Sequence, residues 1–190
     1  MNTHCDVIID FSAPAASLAL QEQIGTKFIP MVIGTTGFKP EEDARLNDLC
    51  AHRPMLISAN FAHGFEAFRQ AAMDFARRMP DAEATIAETY HARKKSAASG
   101  TSLLLQRQLF EARSRVMGFA APQPSIVVER EGDTVGVNEI RFSMGSAEAT
   151  FTYRVHTRAA YAEGALTAAQ WLVSTPRSAG RYSLSDSLTD

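Results

Sequence analysis

The sequence predicts an α/β chain in two parts: a short parallel sheet interleaved with helices, then an α+β region that closes on an antiparallel sheet. Three observations carry that expectation. Up to Asn60, short unbroken apolar runs alternate with capped helical patterns. Between Gly64 and Arg115, two long helical patterns flank a single strand-like run. After Pro122 and Pro124 the apolar spacing changes to period two.

In the first part, Asp6-Val-Ile-Ile-Asp-Phe11 is a continuous apolar run of the kind that a strand buried on both faces of a parallel sheet requires. Ser12-Ala-Pro14 reads as a cap with proline in the first turn, opening a helix through Gln23 that Gly25 stops. Phe28 to Ile33 is a second strand, and Gly34-Thr35-Thr36-Gly37 is the loop after it. Pro40 begins another helix, with Glu41, Glu42 and Asp43 near the positive end of its dipole. A third strand, Met55 to Ser58, leads to Asn60, so the order is βαβαβ with parallel strands and right-handed crossovers.

In the second part, Gly64 to Met79 is helical, and Phe65, Phe68, Ala72, Phe75 and Met79 form its core-facing stripe. Ala84 to Glu88 is a strand, and Ser102 to Arg115 is a helix with Leu103, Leu104, Leu105 and Leu109 inward. Ser125 to Arg130, Val135 to Met144 and Ala147 to His156 read as an antiparallel meander turning at Gly132-Asp133 and Gly145-Ser146, with the preceding helices on one face. Arg158 to Val173 is a last helix, with Trp171 structural at its end, and the tail from Ser174 is loop. The expected division is residues 1–60, 61–173 and a tail of 174–190.

Composition narrows the function classes. With 190 residues, 45% hydrophobic and 21% charged, the chain has material for one large or two small cores. A net charge of −2 gives no global electrostatic case for a nucleic-acid partner. Cys5 and Cys50 fit no metal-ligand or C-x-x-C spacing and suit a reduced, cytoplasmic setting. Met1 to Asp6 is short and polar, unlike a signal peptide, and no apolar run approaches the length of a membrane span. His4, His52, His63, His91 and His156 lie in separate segments without metal-ligand spacing, so no metal is expected.

The chemistry concentrates in Glu88-Thr-Tyr-His-Ala-Arg-Lys-Lys-Ser-Ala-Ala-Ser-Gly-Thr101, directly after an apolar run and directly before a helical pattern. Ser99-Gly100-Thr101 opens that helix, so free N–H groups, two hydroxyls and a glycine permitting close approach coincide at an end that attracts carboxylate or phosphate. Arg93, Lys94 and Lys95 add positive charge, and a partly desolvated lysine can pair with an acid or deliver a proton. Tyr90 and His91 are further proton donors or acceptors. The same residues are also compatible with a solvated basic loop before an ordinary Ser-Gly cap. Glu88 either orients His91 or Lys94 or caps the strand end. Ser99 with His91 lacks the G-x-S-x-G setting of a hydrolase nucleophile.

This stretch resembles the substrate-binding signature of the dihydrodipicolinate reductase family, roughly E-x-H-H-x-H-K-x-D-A-P-S-G-T. Glu88, His91, Lys94, Ala97, Ser99, Gly100 and Thr101 match, whereas Tyr90, Arg93, Ser96 and Ala98 depart. Val32-Ile-Gly-Thr-Thr-Gly-Phe38 resembles the family's loop against the nicotinamide and ribose, and Ser58-Ala-Asn-Phe-Ala-His-Gly64 its A-x-N-F-S-x-G hinge. Tyr153-Arg-Val-His-Thr-Arg158, then Tyr161 and Gly164-Ala165, resembles its H-K-A-S-S-R segment and the F-x-x-G-A after it. The resemblance implies Lys94 as proton donor, Tyr90 in the place of an acid/base histidine, and a carboxylate grip by His91, Ser99, Gly100 and Thr101, with Arg158 reaching the site. It also implies Gly34, Thr35, Thr36, Asn60 and Phe61 as cofactor contacts if a nicotinamide cofactor is used.

No G-x-G-x-x-G occurs, nor the acid about twenty positions beyond it that a dinucleotide site uses. Set against the family, the first part therefore reads as a truncated Rossmann-like sheet, and the second as a substrate and oligomerisation domain. The expectation is a repurposed enzyme on a small carboxylate-bearing imine, enamine or carbonyl substrate, doing cofactor-independent proton transfer: cyclisation, dehydration or tautomerisation. The alternatives are an NAD(P)H-dependent cyclic-imine reductase and a non-catalytic oligomerising paralogue. The family's packing of open sheet faces implies a homo-tetramer or homo-dimer through the C-terminal sheet.

Overall fold

The structure, a computed structural model, describes residues 5–188. His4 and the first residues of the polar start lie outside them. The described residues form two compact units, one of residues 5–63 with 161–188 and one of 64–160.

The first unit is built on a parallel sheet. β1 (Ile8–Asp10), β2 (Met31–Ile33) and β3 (Pro54–Ile57) pair in parallel in that order. Helices α1 (Pro14–Ile24) and α2 (Pro40–Leu49) make the crossovers, confirming the βαβαβ reading. Alternation explains why β2 and β3 are apolar throughout. Val32 and Leu56 pack on one face with Phe61, Ala165, Ala168, Ala169 and Leu172, while Met31, Ile33 and Met55 pack on the other with Ile24, Leu46 and Cys50. Each such aliphatic side chain contributes about 1.5–3 kcal/mol on burial. β1 departs from the expectation of burial on both faces: it is the sheet's edge among the described residues, and Ile9 and Phe11 are exposed. Ser12 is not the cap of α1. Ala13 takes that position, and the Ser12 hydroxyl donates to Asp10.

Two sequence expectations are corrected at the C-terminal end. Helix α5 (Ala159–Ser174) does not belong with the second unit, because Ala165, Ala168, Ala169 and Leu172 fill the core against β2 and β3. Its backbone lies so close to Phe61 that a Cβ at Gly164 would fall 1.7 Å from the Phe61 carbonyl oxygen. The stretch after Ser174 is not simply loop either. β8 (Gly180–Tyr182) adds to β3 in parallel, and the Tyr182 ring meets Trp171 edge-on. A strand of three residues has too little apolar periodicity to be read from sequence.

In the second unit, α3 (Phe65–Arg78) and α4 (Gly100–Met117) pack on one face of a sheet of β4 (Glu83–Tyr90), β5 (Ser125–Arg130), β6 (Gly136–Met144) and β7 (Ala147–Val155). The core joins Phe65, Ala72, Met73, Leu105 and Leu109 to Ile86, Ile140 and Phe142. Met79 and Leu103 are exposed instead of inward, since the 3.6-residue turn carries them past the buried stripe. The expected meander is also corrected. The strand order is β5-β4-β6-β7, with β5 parallel to β4, and β6 and β7 antiparallel. α4 is a crossover helix that returns the chain beside β4, so β4 lies between the two strands that a meander would have made neighbours.

Candidate active site

The inward alternation of the second sheet changes character at one end. Along β4, Ala84 and Ile86 are followed by Glu88 and Tyr90; β5 runs from Ile126 and Val128 to Arg130; β6 runs from Phe142 and Ile140 back to Asn138. Register brings these polar positions together, with Glu88 opposite Asn138 and Tyr90 opposite Arg130. A polar layer on an otherwise apolar face is the signal by which Arg130, Asn138 and Glu88 could have been found together from sequence. Arg130 and Asn138 were missed there.

Glu88 is fully buried and anchors the start of α4. Its Oε2 accepts the Ser99 N–H at 2.9 Å and the Ser102 hydroxyl at 2.5 Å, while Arg130 donates to Oε1 at 3.0 Å. Burial works to raise the Glu88 carboxyl, but the Ser102, Ser99 and Arg130 hydrogen bonds outweigh it and hold the group below the ordinary glutamate value. Ser99 caps α4 by accepting from the Ser102 N–H. Glu88 therefore orients neither His91 nor Lys94 by direct hydrogen bond, and part of the helix terminus expected to receive an external anion is taken internally. Arg130 also donates to the carbonyls of Lys95 and Ala97, fastening the loop that carries Lys94.

Lys94 lies over Tyr90, with Nζ 3.3 Å from the ring centroid. Loss of hydration lowers the ammonium's pKa, with Arg130 adding to the effect and Glu88 opposing it. The Tyr90 phenol is buried, and desolvation raises its pKa, with the nearby Ser99, Asn138 and Thr101 side chains opposing and Glu88 adding to the effect. Loss of hydration and the charges of Arg158, Arg93 and Lys94 hold His91 below the ordinary histidine value, with Asp133 opposing, so the imidazole is neutral at neutral pH. Lys94, Tyr90, His91, Ser99, Gly100 and Thr101 thus belong to one neighbourhood, and exposed Arg158 acts on it through charge. His91 Nδ1 and Asn138 Nδ2 are buried without a hydrogen-bond partner among the described residues.

Gly34, Thr35, Thr36, Asn60 and Phe61 lie in the other unit. Thr35 is buried, its hydroxyl accepting the Ser12 N–H and donating to Asp10. Asn60 Oδ1 accepts the Ala62 N–H, and the Phe61 ring is in the core. A Cβ at Gly34 would enter the Phe11 ring, so this glycine serves packing on that side. Among the described residues, no three histidine, cysteine or acidic side chains are grouped to hold a metal.

Comparison with known proteins places these features. Residues 1–61 match the family model described as dihydrodipicolinate reductase, N-terminus, and residues 64–188 match that described as dihydrodipicolinate reductase, C-terminus. The chain belongs to the dihydrodipicolinate reductase family. The 4-hydroxy-tetrahydrodipicolinate reductase of Methanocorpusculum labreanum is 33% identical over 88% of this chain and 70% of its own length, and that of Thermomicrobium roseum is 34% identical over 97% and 75%. The fold is shared with a dipicolinate-bound dihydrodipicolinate reductase from Paenisporosarcina sp. TG-14, with a TM-score of 0.70 at 20% identity, covering 94% of this chain and 71% of that one. No helix among the described residues is long and apolar enough to cross a membrane.

Proposed function

We propose that the second unit binds a small carboxylate-bearing cyclic imine, enamine or carbonyl compound and that Lys94 delivers a proton to it. The observation that carries this reading is Lys94 itself: a partly desolvated ammonium held against a ring face, beside the start of α4 and the unpaired side-chain nitrogens of His91 and Asn138. Buried polar atoms of this kind are ordinarily paired, and a ligand would pair them. Lys94 can protonate an imine nitrogen or an enamine carbon, and a neutral His91 can donate or accept a hydrogen bond at a substrate carboxyl or its bridging water. The Tyr90 phenol remains protonated near neutral pH and has no role as a base.

This chemistry is cyclisation, dehydration or tautomerisation without a nicotinamide cofactor. The residues of the parallel sheet fit a dinucleotide poorly. The turn from β1 into α1 is Phe11-Ser12-Ala13, without glycine, and hydrogen bonds from Ser12 and Thr35 keep the Asp10 carboxyl below the ordinary aspartate value despite its burial, so this helix start offers an anion no glycine cradle and stands beside a negative charge. The start of α2 is occupied by its own Glu42, which accepts the Lys39 N–H, with Glu41 and Asp43 alongside. Calorimetric titration with NADPH and with NADH tests the point: no saturable heat is expected, and tight binding of either overturns it.

A second reading, an NAD(P)H-dependent cyclic-imine reductase, draws on the Gly34-Thr-Thr-Gly37 and Asn60-Phe-Ala62 segments after β2 and β3, and on relatives named as reductases. It requires pyrophosphate contacts from outside these turns. Oxidation of NADPH on addition of dihydrodipicolinate would favour it. Assembly into a homo-dimer or homo-tetramer is proposed through the outer face of the second sheet, where Val127, Arg141, Thr150 and Thr152 are exposed.

A further inference from the structure

We propose that Tyr90 is a positioning residue, whose ring fixes the ammonium of Lys94, and not a group that acts through its hydroxyl. The proposal rests on the reading of Lys94 as the proton donor for its functional meaning, but the contact itself is independent of any substrate.

Three observations converge. Lys94 Nζ sits 3.3 Å from the Tyr90 centroid, closer than the roughly 6 Å within which a ring quadrupole attracts a cation. The ring cannot drift, because Tyr90 is the last residue of β4, buried and paired with Arg130 of β5, while the preceding Thr89 pairs with Val137 of β6. Lys94 has no carboxylate partner within ion-pair distance among the described residues, whereas Glu88 is taken by Arg130. On a mobile loop a lysine would have four rotatable bonds to order, and an aromatic floor at the end of a strand removes much of that freedom before substrate arrives.

The charged and titratable groups around Lys94 are Glu88 on β4, Arg130 on β5 and His91 in its own loop. Glu88 favours the ammonium, Arg130 disfavours it, and the ring adds a favourable interaction that a histidine cation at position 90 would replace with repulsion. The Tyr90 departure from the family pattern therefore leaves the lysine a steady floor instead of a second titrating group.

The chain has four lysines, so the Lys94 side-chain resonance is assignable in lysine-labelled protein by comparison with Lys94→Arg. In the unaltered protein the Cε and Nζ protons of Lys94 are expected to carry an upfield ring-current shift and cross-relaxation to the Tyr90 ring. Tyr90→Phe should keep both and leave the Lys94 titration midpoint within a few tenths of a unit. Tyr90→Leu should abolish the shift and lower the midpoint by about half a unit, the size of an exposed to partly buried cation–π contact. A Lys94 resonance at random-coil position in the unaltered protein overturns the proposal, and that measurement does not depend on either variant folding. An equal loss in Tyr90→Phe also overturns it, because the hydroxyl would then be what matters. If the shift is present but Lys94→Arg leaves turnover unaltered, the contact stands and the proton-donor reading falls.

Discussion

Glu88 accepts the Ser102 hydroxyl at 2.5 Å inside the first turn of α4, so a carboxylate of the chain itself occupies part of the helix terminus that precedes the candidate site. Arg130 neutralises that carboxylate from the other side, and its guanidinium continues to the Lys95 and Ala97 carbonyls. One buried ion pair thereby links the sheet, the helix start and the Lys94 loop.

Glu88→Gln should destabilise the protein by about 2–4 kcal/mol at neutral pH, since it leaves the Arg130 charge unpaired while retaining some hydrogen bonds. The folded-state carboxyl titrates below its unfolded value, so its stabilisation is fully present above an unfolded pKa of about 4.3 and is lost as pH falls through the folded value. Urea denaturation midpoints of the two proteins should consequently converge between neutral pH and strongly acid pH. A gap that persists undiminished at low pH would show that charge is not its source.

Arg130→Met removes the guanidinium that holds the Lys95 and Ala97 carbonyls. Limited trypsin cleavage after Arg93, Lys94 and Lys95 should accelerate by roughly tenfold, because local opening of the loop governs access. Unchanged cleavage would mean that the loop's remaining bonds, such as Ala92 N–H to the Gly132 carbonyl, suffice.

Gly164→Ala should lower the melting temperature, with a cost of about 1–3 kcal/mol or more. Helix propensity alone would favour alanine. The sign is set by the Phe61 carbonyl, 1.7 Å from where the Cβ would stand.

The imidazole of His91 should titrate below the ordinary histidine value of about 6.5 by NMR, and Arg158→Gln should move it upward by removing one of the nearby cations. No upward movement would take Arg158 out of the site.

Much of this was legible in the sequence where pattern and burial coincide. Phe28 to Ile33 and Met55 to Ser58 read as strands, of which β2 and β3 keep Met31–Ile33 and Pro54–Ile57, because both faces of the sheet are covered, and Ser99-Gly100-Thr101 read as a helix start because the cap chemistry is local. The place of β5 beside β4 was not legible, since antiparallel and parallel partners give the same period-two pattern. β8 escaped for want of length. Within the site, Lys94, Tyr90 and His91 stood out as chemistry, but Tyr90's part as a floor for Lys94 depends on the path of the loop, and Arg130's on the strand order. Thr35 and Phe61, taken as cofactor contacts by resemblance, have side chains used internally, which only packing reveals.

The central claim is that Lys94, held above Tyr90 beside the start of α4, serves a site for a carboxylate-bearing ring. Calorimetric titration with pyridine-2,6-dicarboxylate tests it most directly, comparing the unaltered protein with Lys94→Ala and Thr101→Val. Saturable binding without added nicotinamide nucleotide is expected, weakened by about tenfold or more in each variant, as loss of a charged or buried hydrogen-bonding partner would cause. Absence of binding, or equal affinity in all three proteins, would contradict the account.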